Sequence, residues 1–159
     1  MAAVIEYFLT GGAANADPDA SLGGDTSSEN VSGTALNNLF DNINPLEIAS
    51  GDRVEYRAFA FKNTGDATAK HVEFFFTDTG NAESIVAMWY DSTGTQSIVD
   101  ETTEPTGASG NWITPLVGTR EAFSDLAAGA EYRIWIRRTV DQGATNLNDD
   151  LATLHVWAS

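Results

Sequence analysis

The chain has no cysteine, and only two histidines and two methionines among its 159 residues. Without thiols it can form no disulfide framework, no thiolate metal centre and no cysteine nucleophile. Bases are scarce as well: 8 Lys and Arg stand against 23 Asp and Glu, a formal net charge of −15. A surface of that sign repels DNA phosphate and anionic lipid, which argues against nucleic acid and membrane surfaces as partners. No apolar run approaches the ~18 residues of a membrane-spanning helix. The segment Met1–Leu9 has no basic flank and carries Glu6 inside its apolar stretch, so no secretory leader is expected.

What is present suffices for one folded domain. Hydrophobic residues make up 42% and aromatics 10%, too apolar a mixture for a disordered chain. A chain of this length buries a core without help from metal or disulfide. Its charges are unevenly spread. Residues 1–52 hold eight acids and no base, and all eight bases lie between Arg53 and Arg138. This boundary predicts an acidic, loop-rich N-terminal arm or flap over 1–52 and a β-sandwich over 53–159.

Within the first part, Val4–Leu9 is rich in β-formers and reads as a short strand, and Gly11–Gly33 reads as extended loop. Leu36, Leu39, Phe40 and Ile43 fall at i, i+3, i+4 and i+7, the spacing of one apolar face on a short helix over 34–43. Ser32 or Thr34 would cap it and Asn44-Pro45 would end it. Beyond residue 52, strands are predicted at Arg53–Lys62, Ala69–Thr77, Ser84–Tyr90, Gln96–Val99, Trp112–Val117, Tyr132–Val140 and Leu151–Trp157. Turn sequences such as Asn63-Thr-Gly-Asp66 and Asp91-Ser-Thr-Gly94 punctuate them. Many short strands with almost no helix indicate a mainly β, antiparallel sandwich of immunoglobulin-like or jelly-roll-like type.

Few residues point to chemistry. His71 and His155 form no paired motif, and each falls inside a predicted strand. The chain contains no Gly-x-Ser-x-Gly elbow, His-Glu-x-x-His pair, Walker loop or dinucleotide fingerprint, so it is not expected to be an enzyme. Structural calcium is the one cofactor weighed: Asp17 and Asp19, with Asp25 nearby, or Asp149 and Asp150 could offer hard oxygens, although neither group has EF-hand spacing and solvated turns are the commoner outcome. In Tyr132–Val140, Tyr132, Ile134 and Ile136 point one way and Arg133, Trp135 and Arg137 the other. With Arg57, these predict an arginine–tryptophan ladder on one sheet face. As a contact surface, Arg133, Trp135 and Arg137 join Leu36, Leu39, Phe40 and Ile43 as interface candidates.

Several motifs scattered along the chain share one likeness. Glu6-Tyr-Phe-Leu-Thr-Gly-Gly12, Asn15-Ala-Asp-Pro18 and Ser21-Leu-Gly-Gly24 resemble the opening of small tailed-bacteriophage proteins, which carry a serine where this chain has Thr10. Ala35–Ile43, Ala49-Ser-Gly-Asp-Arg-Val-Glu-Tyr-Arg57, Lys62-Asn-Thr-Gly65, Leu126–Val140 and Asn148-Asp-Asp-Leu-Ala-Thr-Leu154 look like the same family. Phe61–Val72 is separately similar to the strand–turn–strand of immunoglobulin-like sandwiches, a likeness of fold alone. The phage resemblance implies a virion structural protein, assembled in the host cytoplasm, with no defined site to carry over. Its expected role is capsid decoration (cement) or tail accessory, acting through contacts with major capsid or tail proteins and with copies of itself. The alternative is a carbohydrate- or receptor-binding module on the particle.

Overall fold

A computed structural model describes residues 2–34, 39–79, 84–144 and 152–158. Eight strands are arranged in two antiparallel sheets. They are β1 (Ile5–Thr10), β2 (Thr26–Asn30), β3 (Arg53–Asn63), β4 (Glu73–Thr79), β5 (Ser84–Asp91), β6 (Glu121–Ala122), β7 (Glu131–Val140) and β8 (Ala152–Trp157). One sheet has the order β2-β1-β3-β7-β5 and the other β6-β4-β8. The protein is thus a mainly β sandwich, and from β3 onward every connection between consecutive strands passes from one sheet to the other.

Alternation along the strands builds the core. Phe59 and Phe61 of β3, Val86 and Met88 of β5, and Ile134 and Ile136 of β7 face Phe74 and Phe76 of β4, with Leu154 and Val156 of β8 packed against them. Phe61 and Phe74 meet edge-on at 5.0 Å, as do Phe74 and Phe123 at 4.9 Å, geometries that set the positive edge of one ring against the negative face of the other. The axis of the larger sheet is the ten-residue β3–β7 ladder, from Arg53 opposite Val140 to Lys62 opposite Glu131.

The N-terminal region is not a separate arm. β1 lies between β2 and β3, with Ile5 opposite Asn63 and Phe8 opposite Ala60, so residues assigned to a flap form part of the main sheet. The gain is simple: β3 is nearly all buried, and an uncovered edge would leave its backbone groups unpaired. β2 sits inside the segment expected to be loop, because Thr26–Asn30 has little apolar patterning to reveal it. No helix is found among the described residues of 34–43: Leu39 and Phe40 lie in a bend and Asp41–Ile43 are irregular, while Leu36 lies outside the described residues. Two turns of helix gain little in isolation, and Asp and Asn side chains compete for their own backbone. Other boundaries move too. Ala69 makes only a single bridge, to Leu126, before β4 begins at Glu73; Ser97, Ile113 and Leu116 likewise make isolated bridges instead of strands. His71 is in a turn at φ +51°, not in a strand, whereas His155 lies in β8.

Candidate functional site

The Thr10–Gly24 motif is a folded plug beside β3, where the pairing with β1 ends: the Ser21 carbonyl accepts from the Ala58 N–H, and Gly23 reaches over Trp135 on the sheet's outer face. Thr10 and Ser21 are both fully buried. The Ser21 hydroxyl donates to the Ala58 carbonyl (2.6 Å) and accepts from the Thr10 N–H (2.8 Å), and Thr10 Oγ1 accepts from the Gly23 N–H (3.0 Å). The Asn15 side-chain amide donates to the carbonyls of Thr10 and Asp17, and Asp17 Oδ1 accepts from the Asp19 N–H. Gly23 has φ +84°, and a Cβ there would lie 2.6 Å from the Trp135 ring and 2.1 Å from the Gln96 carbonyl oxygen. Only glycine fits that conformation and that approach. The motif's residues therefore hold a turn over Trp135.

This plug and residues 96–112 cover the sheet's outer face. Trp135 is buried with Tyr56 and Ala58, against Val54, Trp89, Ile98 and Trp112. Arg133 is buried as well, donating to the Gly24 carbonyl and to Thr26 Oγ1 (2.8 Å). Burial pushes its guanidinium below the ordinary arginine value, against the opposing pull of Glu131, Asp91 and Asp25. The expected ladder exists in part: the Arg137 guanidinium lies 5.2 Å from the Trp112 ring centre, Tyr56 packs on the same indole at 5.5 Å, and Trp112 Nε1 donates to Glu104 (2.7 Å). As an exposed contact surface the proposal is corrected for Arg133 and Trp135, which the chain itself encloses; Arg137 is half-buried.

Arg57 faces the other way. On the core-facing side of β3 the apolar run gives way to Arg57, Glu55 and Arg53, which build an ionic end to the sandwich. Arg57, 1% exposed, donates to Glu101 (2.5 Å) and lies 3.6 Å from Asp19. Glu55, itself buried, takes Arg53 and Arg138. Phe40 sits between the guanidiniums of Arg57 (5.6 Å) and Arg138 (4.8 Å), and Leu39 is buried in the core. These two interface candidates thus clamp residues 39–48 to the sheet, while Ile43 is half-buried.

Of the calcium candidates, Asp17 and Asp19 are engaged elsewhere. Asp17 is a cap and Asp19 faces Arg57, and among the described residues no group of three or more acids and histidines is placed to hold a metal. Asp149 and Asp150 lie outside the described residues.

The outer face of the smaller sheet is the open one. Glu73 is opposite Trp157 and Phe75 opposite His155. Phe75 and His155 stack at 5.3 Å and 11°, the Arg120 guanidinium lies 4.5 Å from the Phe75 ring centre and 5.9 Å from that of Trp157, and Arg120 donates to Glu73 (3.0 Å). Thr77 Oγ1 and His155 Nε2 share a 2.8 Å hydrogen bond. Trp157 is 49% exposed. Sequence reasoning missed this patch because the run Phe74-Phe75-Phe76 shows no alternation; the signal lay in Thr153, His155 and Trp157, polar or amphipathic at every second position of β8. Comparison with known proteins returns no matching family model, no matching curated protein and no matching solved structure.

Proposed function

We propose that this chain is a non-enzymatic structural component of a tailed-bacteriophage particle, a capsid decoration protein or a tail accessory, working through subunit contacts. Two things support the reading: the scattered sequence likeness and the open aromatic face of the smaller sheet. The latter is the observation that carries it. Phe75, His155, Trp157 and Arg120 stand outward on a sheet whose other face is locked into the core, while the larger sheet's outer face is covered by the chain's own loops. Aromatic and arginine side chains on a rigid, flat element are the anchors protein contacts favour. The test is mass spectrometry and reconstruction of purified particles of the phage that encodes the chain. A fixed copy number at a symmetric position is the expected result; a chain found only in the soluble lysate overturns the reading.

The half-exposed Trp157 beside Glu73 and Arg120 also favours a second reading, a glycan- or receptor-binding module on the particle, since a sugar ring stacks on an exposed indole while acid and guanidinium take its hydroxyls. Saturable retention on a glycan array, lost in Trp157→Ala, supports it, and no retention on any glycan removes it.

A further inference from the structure

We propose that the free edge of β8 is a self-association site, pairing antiparallel with β8 of a second copy to make one six-stranded sheet. Three observations support it. Among the described residues β8 is hydrogen-bonded on one side only, to β4, and no backbone group of 152–158 bonds to any other segment. A strand edge of this kind presents a row of unpaired N–H and C=O groups, and what satisfies such a row is another strand. Next, the devices that ordinarily blunt an edge are missing from this one: Ala152–Ala158 contains no charged residue and no proline. The single irregularity in its pairing, between Phe76 and Asp78, falls on β4. Finally, Leu154 and Val156 point inward and pack on the core yet stay half-exposed, whereas Phe74 and Phe76 of the neighbouring strand are 0% and 2% exposed. A strand laid beside β8 would finish that burial.

A second copy fits because the edge is self-complementary. Two antiparallel β8 strands set inward Leu154 and Val156 against their counterparts, and outward Thr153, His155 and Trp157 against theirs. Copies carrying −15 repel wherever their charges meet, and Ala152–Ala158 itself carries no charge; of the acids on neighbouring β4, Glu73 is paired with Arg120, and Asp78 lies opposite Thr153. The assembly closes at two, since the far edge of the smaller sheet is β6, only two residues long.

The inference rests on the architectural reading only in that a building block needs self-contact, and the two fail separately: particle composition tests the reading, the purified chain tests the edge. Sedimentation equilibrium of the full chain from micromolar to submillimolar concentration should show a monomer–dimer equilibrium. Thr153→Lys, at an exposed outward position, should weaken the dimer at least about tenfold with an unchanged circular-dichroism spectrum. Val99→Lys, on an exposed residue of another surface, should leave it intact. Hydrogen exchange at β8 amides should slow as protein concentration rises. A chain that stays monomeric throughout overturns the proposal. So does a dimer indifferent to Thr153→Lys whose concentration-dependent protection falls on another segment.

Discussion

Asp41 shares a hydrogen bond with Asp19 within reach of the Arg57 guanidinium, and its carboxyl is held above the ordinary carboxylate range. Partial burial is the first cause, then the bond to Asp19 and its like charge, with Arg57 pulling the other way. A carboxyl raised in the folded state contributes stability that is full below its unfolded value and is lost as pH climbs past its folded value. Asp41→Asn should therefore be more stable than wild type at neutral pH and lose that advantage on acidification, as urea titrations across the carboxylate range will show. Asp91 has the opposite sign. Burial raises it, but the Thr93 hydroxyl and the N–H groups of Gln96, Thr93 and Gly94 outweigh burial and hold it below the ordinary range. Its contribution is present above the unfolded value and is lost as pH falls through the folded one. Asp91→Asn should cost about 2 kcal/mol at neutral pH, the worth of hydrogen bonds to a charged acceptor, and progressively less in acid. At Gly23, backbone conformation and space act together: Gly23→Ala should destabilise by more than about 2 kcal/mol, read from the same denaturation curves.

At the scale of elements, β1 shows what a terminal segment contributes. It covers one edge of β3 and carries Leu9 into the interior at 2% exposure. Deleting residues 1–33 removes β1, β2 and the plug over Trp135 together. The truncated chain should aggregate or unfold instead of persisting as a soluble domain, and light scattering with circular dichroism will decide. The strands legible in the sequence are those whose residues alternate or run apolar: β1, β3, β5, β7 and β8 fall within a few residues of their expected positions, and β4 begins four residues later than expected. β2 was illegible because Thr-Ser-Ser-Glu-Asn has no core-facing stripe; it is a strand only because β1 lies beside it. The apolar spacing at Leu36, Leu39, Phe40 and Ile43 did mark burial at Leu39, yet the described residues 39–43 are not helical: Phe40 is fixed by the Arg57 and Arg138 guanidiniums, partners far away in sequence. The arginine–tryptophan face was legible as a face. That it would be covered was not, because residues 21–24 and 96–98 reach it by a long-range pairing, Gly23 with Ser97, that no local pattern encodes.

For the molecule as a whole, excess negative charge works against compactness, and added salt screens it. The thermal midpoint should rise between low and physiological ionic strength, measurable by calorimetry in sodium chloride; a midpoint that falls would mean the ionic end around Arg57 and Glu55 outweighs the net repulsion. The weave of the chain has one more effect. The central partners β3 and β7 are separated by the whole of 64–130, and each crossing strand in between belongs alternately to one sheet or the other. On a ribosome, the long apolar β3 therefore emerges well before its mate is synthesised, and it must be shielded by nascent-chain helpers or by β1 alone until residues 131–140 have followed it.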